Sequence, residues 1–224
     1  MPSNLTEIIF IIDKSTSMEP IREQTIAAFN KFLEDQQREP GRAMLTLVFF
    51  SSSGKYETRY SGADIRRVNP LTAVDYVPDG MTALSDAIGK TINETGARLE
   101  QTPESERPAH VLVAILTDGA ENDSKDYTVA KIKEKILHQE TKYSWKFLFL
   151  GAGLQDAVQA VAGAYGIGGL MCCPYNADAQ GIAKSVSSVS CATSQLRTSG
   201  AIDAGWVVED GGAVGADNPA AAKP

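Results

Sequence analysis

Two kinds of hydrophobic spacing alternate along the chain. Glu7–Ile12, Met44–Phe50, Val111–Leu116 and Trp145–Leu150 are short continuous runs of branched and aromatic residues. They are too brief for helices and lack polar alternation, which predicts strands buried on both faces. Between these runs, apolar positions recur every three or four residues. Ile21, Ile26, Phe29, Phe32 and Leu33 predict a helix from Pro20 towards Gly41, and Leu84, Ala87, Ile88, Ile92 and Leu99 predict a second. Val129, Ile132 and Ile136 mark a third helix over 127–139, residues 154–162 a short one, and Ile182, Val186, Val189 and Leu196 the last. The polar segment Lys55–Tyr60, entered through Ser51-Ser52-Ser53-Gly54, suits an antiparallel edge strand, and Leu170–Cys173 a short final strand. Gln101–Pro108, polar and proline-bearing, reads as a surface connector. Strands alternating with helices predict a doubly wound α/β fold: a mostly parallel sheet with one antiparallel edge strand and helices on both faces.

Composition narrows the function classes. The net charge of −7 argues against a broad phosphate-binding surface, so no nucleic acid partner is expected. No apolar run approaches the roughly 18 residues needed to span a bilayer, so no membrane partner is expected either. The start carries no basic stretch, and its apolar run is cut at Asp13, which predicts no signal peptide. Cys172, Cys173 and Cys191 have neither a disulfide framework nor metal-ligand spacing and read as reduced packing residues. A cytoplasmic location is the expectation. Beyond residue 202 the chain is rich in Gly, Ala and Asp, with Trp206 and Val207-Val208 its only sizeable apolar content. The expected organisation is a domain over 1–202 and an acidic tail over 203–224, mobile or docked as a strap by Trp206.

In an open parallel sheet, ligands bind beyond the carboxyl ends of the strands, where the winding order reverses. The loop leaving the first strand carries Asp13-Lys14-Ser15-Thr16-Ser17, that leaving the Val111 strand carries Thr117-Asp118-Gly119, and Gly80-Met81-Thr82-Ala83-Leu84 precedes a helix. Asp13 and Asp118 offer carboxylates, while Ser15, Ser17 and Thr82 offer neutral hydroxyls. Such an all-oxygen set suits a hard divalent cation, magnesium or manganese rather than zinc. Each element also has a plainer explanation: the hydroxyls as helix N-caps and Asp118-Gly119 as an ordinary turn.

D-x-S-x-S at 13–17, Thr82 in G-M-T-A-L and Asp118 in T-D-G resemble the metal-ion-dependent adhesion site, or MIDAS, of von Willebrand factor A domains. Within that family the chain looks most like stand-alone bacterial and bacteriophage members. The resemblance implies a Rossmann-like fold over roughly residues 6–200. It also implies Mg2+ or Mn2+ held by Ser15, Ser17 and Thr82, with Asp13 and Asp118 coordinating directly or through water. A protein partner's Asp or Glu would complete the shell, in binding rather than catalysis. One departure is Thr16, where many members have Gly between the serines, which bears on affinity.

Two other classes compete. A structural or assembly component, of a phage or a cellular complex, would keep the fold and not depend on metal. A magnesium-dependent phosphatase or phosphotransfer enzyme would use Asp13 as nucleophile, but haloacid-dehalogenase-type enzymes need a second Asp where this chain has Ser15. Histidine offers no base there, because His110 precedes the strand whose other end carries Asp118, roughly 26 Å away at about 3.3 Å per residue, and His138 falls near the end of the following helix. Glycine patterns for nucleotide phosphates are missing from the first strand-helix turn. Glu19, Asp86, Glu121 and Asp123 are candidates to orient the site or to form its solvated rim, and Arg66 and Arg67 read as a solvated loop.

Overall fold

A computed structural model describes residues 5–208. Among them, six strands form one sheet: β1 (Leu5–Asp13), β2 (Arg42–Phe50), β3 (Tyr56–Asp64), β4 (His110–Thr117), β5 (Lys146–Ala152) and β6 (Cys172–Tyr175). The helices are α1 (Arg22–Arg38), α2 (Leu84–Gln101), α3 (Val129–Tyr143), α4 (Gln155–Ala164) and α5 (Ala179–Ser199). Strand order is β3-β2-β1-β4-β5-β6, and every pair is parallel except β2 with β3. The chain therefore winds outward from β1 in one direction and from β4 in the other. Their carboxyl ends, side by side at Ile12 and Leu116, are where the winding reverses.

The buried runs explain the layering. Successive side chains of a strand point to opposite faces, so a strand covered on both sides must be apolar at every position. In β1, Ile8, Phe10 and Ile12 pack with α1 and α5, whereas Ile9 and Ile11 pack with α2, α3 and α4. Phe10 meets Phe29 and Phe32 of α1 edge-on, at centroid distances of 5.6 and 4.8 Å. Fully burying one such side chain contributes about 1.5–3 kcal/mol, which makes this sheet a stiff platform for the loops at its ends.

Two boundaries differ instructively from the sequence reading. The first helix is preceded by a 3-10 segment, Thr16–Ile21, because the chain must turn tightly out of the Asp13 loop, with Met18 N–H donating to Ser15 O at 3.0 Å. The edge strand runs on to Asp64 through two register irregularities against β2. The segment following α5 is docked: Trp206 is fully buried, and its Nε1–H donates to Leu170 O at 2.8 Å. The remainder of the expected tail, 209–224, lies outside the described residues. Cys172 and Cys173 are buried free thiols. No helix among the described residues is long and apolar enough to cross a membrane.

Candidate functional site

Asp13 ends β1 and is completely buried. Its Oδ1 accepts the Ser15 N–H at 2.8 Å, and its Oδ2 accepts the Thr117 hydroxyl from the end of β4 at 2.6 Å. Tyr76 also donates its hydroxyl to the Asp13 carbonyl oxygen. From there a chain of oxygen atoms runs outward. Ser15 Oγ lies 3.0 Å from Ser17 Oγ, and the Ser17 hydroxyl donates to Asp118 Oδ1 at 2.7 Å. Four of the five candidate residues are thus linked across the adjacent ends of β1 and β4.

Thr82 closes the group from the third loop. A Cβ placed on Gly119 would lie 3.4 Å from Thr82 Oγ1 and 4.0 Å from Ser17 Oγ, so both hydroxyls converge beside the Asp118-Gly119 turn. Thr82 is held there by Asn122, whose Oδ1 accepts Thr82 N–H at 2.9 Å and whose N–H donates to Thr82 O at 3.0 Å. The loop turns at Gly80 with φ +77°, which glycine adopts without strain, and Gly80 O accepts Thr16 N–H at 3.0 Å. The helix-cap explanation does not describe these hydroxyls. Ser15 precedes the 3-10 segment and Thr82 precedes Ala83 at the start of α2, and neither end has a side-chain cap bond.

Electrostatics give the cluster its character. Burial pushes the Asp13 carboxyl up to about 6, against hydrogen bonds from Thr117 and Ser15 that lower it, with the Asp118 charge adding a smaller rise. Burial also raises Asp118, against the Ser17 hydrogen bond. The influences that lower the two acids are hydroxyl and amide hydrogen bonds rather than a cation, so a positive charge placed among them would relieve both. The donor set of two carboxylates and three hydroxyls fits a hard divalent cation. Among the described residues there is no group of three or more His, Cys, Asp and Glu able to hold a metal, which leaves hydroxyl oxygen as the majority donor of the candidate site.

The flanking acids act on backbone rather than on the hydroxyls. Asp86 is buried and accepts three N–H groups, those of Lys125, Asp126 and Tyr127, each at 2.9 Å. Glu121 accepts N–H from Ser85, Asp123 and Ser124 at 2.6, 3.0 and 2.7 Å and the Ser124 hydroxyl at 2.6 Å. Together they clasp the loop after Asp118 onto the start of α2. Asp123 accepts Ser53 N–H at 2.7 Å, and Glu19 lies 3.8 Å from Arg22. Arg66 and Arg67 follow β3 at the opposite end of the sheet. His110 begins β4 beside Gly200, and His138 of α3 packs edge-on to Tyr143, so neither belongs to the cluster. Sequence reasoning missed Thr117 as the orienter of Asp13, and Asn122. Thr117 was detectable as a polar residue closing an otherwise apolar strand; Asn122, on an irregular loop, carried no signal.

The family profile of the von Willebrand factor type A domain matches residues 7–160, well over half of the 224 and inclusive of all five cluster residues. The chain belongs to that family. Von Willebrand factor A domains are adhesion modules rather than catalysts. Among solved structures it is similar to proximal thread matrix protein 1 from the mussel byssus, with 17% identity, a TM-score of 0.54, and coverage of 84% of this chain and 46% of that one. A structure of the same byssus protein with a zinc-occupied MIDAS motif matches at 16% identity and a TM-score of 0.52, covering 85% and 46%. The ArnB paralog VWA2 from Sulfolobus acidocaldarius matches at 21% identity and a TM-score of 0.43, over 71% and 39% of the two chains. This chain therefore spans less than half the length of these proteins, and at such identities the byssus likeness shows the fold alone. A search of curated protein sequences returns no match.

Proposed function

We propose that this von Willebrand factor A domain is a metal-dependent protein-binding module of the cytoplasm. Asp13, Ser15, Ser17, Thr82 and Asp118 would hold Mg2+ or Mn2+, and the bound ion would supply an electrophilic centre for an Asp or Glu of a protein partner. Family membership supports a general role in protein interaction. The observation that carries the finer reading is the hydrogen-bonded chain Asp13, Ser15, Ser17, Asp118, assembled from two loops with Thr82 beside it and with both carboxyls held above their usual range by burial. A byssus protein of the same fold holds zinc in its MIDAS motif, which is the precedent for proposing a cation here. The site's own residues have a division of labour. Asp13 is immobilised by Thr117 and the Ser15 amide, whereas Asp118 and Ser17 are more open and face the approaching partner.

Thermal unfolding of wild type and Asp118→Ala, in chelator and then in magnesium or manganese, tests the reading. At about 100 times the Kd the ion should stabilise wild type by about 2.7 kcal/mol and the variant much less. Equal shifts in the two proteins, or none in wild type, would remove the metal from the function and leave a metal-independent scaffold.

A further inference from the structure

A small apolar cavity of about 200 Å³ lies immediately behind Asp118, between the loop after β4 and the start of α4. One wall is Asp118, Gly119 and Ala120; the other is Val158 and Val161, with exposed Ala157 beside them. Gly151 of β5 makes the recess possible. A Cβ there would come within 2.9 Å of Val158 Cγ1, so only glycine lets α4 seat where it does. The cavity shares Asp118 with the five-residue cluster and is lined on either side of it by Thr117 and Gly119, so the cluster and the cavity adjoin at Asp118. Its size falls below the roughly 300–1,000 Å³ of small-molecule sites and suits one side chain. On the opposite flank, a cavity of about 300 Å³ carries Lys14, Lys55, Glu57 and Asp79 beside Phe49 and Tyr56, whereas Asp118 is the one charged residue lining the cavity by α4, so the two flanks of the cluster differ in charge.

We propose that partner recognition here is bipartite: an acidic side chain engages the cluster, and a branched aliphatic side chain one or two residues from it fills the cavity between Asp118 and α4. This rests on the metal-dependent reading above and adds which peptides the site prefers. The carboxylate supplies the metal-dependent anchor, which any Asp or Glu offers. The aliphatic contact supplies discrimination, because apolar surface is removed from water only when a side chain of matching size enters.

The experiment uses the full chain and synthetic peptides of a single design, an Asp flanked by Gly and Ser, with either Leu or Ala two residues after it. A second pair carries the same residues one position after the Asp. Affinities are measured in magnesium and in chelator, for wild type and for Ala157→Leu, a helix-compatible change that narrows the cavity. The expected result is magnesium-dependent binding about tenfold tighter for Leu than for Ala in at least one pair. That preference should be lost in Ala157→Leu, while the magnesium-induced rise in Tm is unchanged. Magnesium-dependent binding with no Leu preference, or a preference that survives Ala157→Leu, overturns the bipartite inference and leaves the metal reading standing. No magnesium shift in Tm, or binding that persists in chelator, overturns the metal reading and the inference with it.

Discussion

Asp13 sits where burial and function pull in opposite directions. Its carboxyl is raised to about 6 by desolvation, so folding without metal binds a proton more tightly than the unfolded chain does, whose Asp titrates near 3.9. The resulting stabilisation is fully present below about pH 4 and is lost as pH rises through 6; above that the buried charge is a standing cost. A bound cation must displace the same proton. The magnesium-induced rise in Tm should therefore be larger at pH 7.5 than at pH 5, whereas the share of metal-free stability that comes from Asp13 should change in the reverse sense. Asp13→Asn should flatten both dependences. Thermal scans at the two pH values, with and without magnesium, check this. A magnesium shift that grows on acidification would mean that Asp13 is not part of the site.

Elements meet at the site through polar clasps rather than through the hydrophobic core. Asp86, in the first turn of α2, holds three consecutive amides of the loop leading to α3, and Glu121 ties the same loop to Ser85. Thr82 and Asp118 are thereby set against each other by groups that touch neither hydroxyl nor carboxylate of the cluster. Asp86→Ala leaves those amides without an acceptor, a loss of about 1–3 kcal/mol. It should also weaken magnesium affinity, because a loosened loop no longer holds Thr82 beside Asp118. Asp86→Asn, which keeps an acceptor oxygen, should recover part of both. Chemical denaturation and magnesium titration, run on the same two variants, separate the effects. Unaltered magnesium affinity in Asp86→Ala would show that the clasp serves stability alone.

At the scale of the molecule, stability and site occupy different parts of the structure. Trp206 lies beyond α5, yet its ring belongs to the same cluster as Phe10, Phe32 and Leu196, and its indole N–H is satisfied by Leu170 O. Trp206→Ala should cost about 3–5 kcal/mol in urea denaturation, the range for emptying a large aromatic position. The magnesium increment should be unchanged, since the cluster lies at the carboxyl ends of β1 and β4 and draws nothing from Trp206. Loss of the magnesium increment along with stability would tie this segment to the site instead.

The class of fold was legible in the chain because it is a local property, and so was the placement of the oxygen-bearing loops that carry the candidate site. A strand buried on both faces must be continuously apolar, a helix on one face must repeat every three to four residues, and a polar Asp directly after such a strand stands at its end. What the linear pattern did not contain is adjacency. That β1 lies beside β4 rather than at an edge, that Thr117 donates to Asp13 across that junction, and that Asn122, Glu121 and Asp86 clasp one loop all depend on contacts between residues up to 104 positions apart. The docking of Trp206 and the recess that Gly151 opens beside Asp118 are of the same kind. Periodicity records which side of a segment is covered but not by what, and only packing of the whole chain decides which loops share a site.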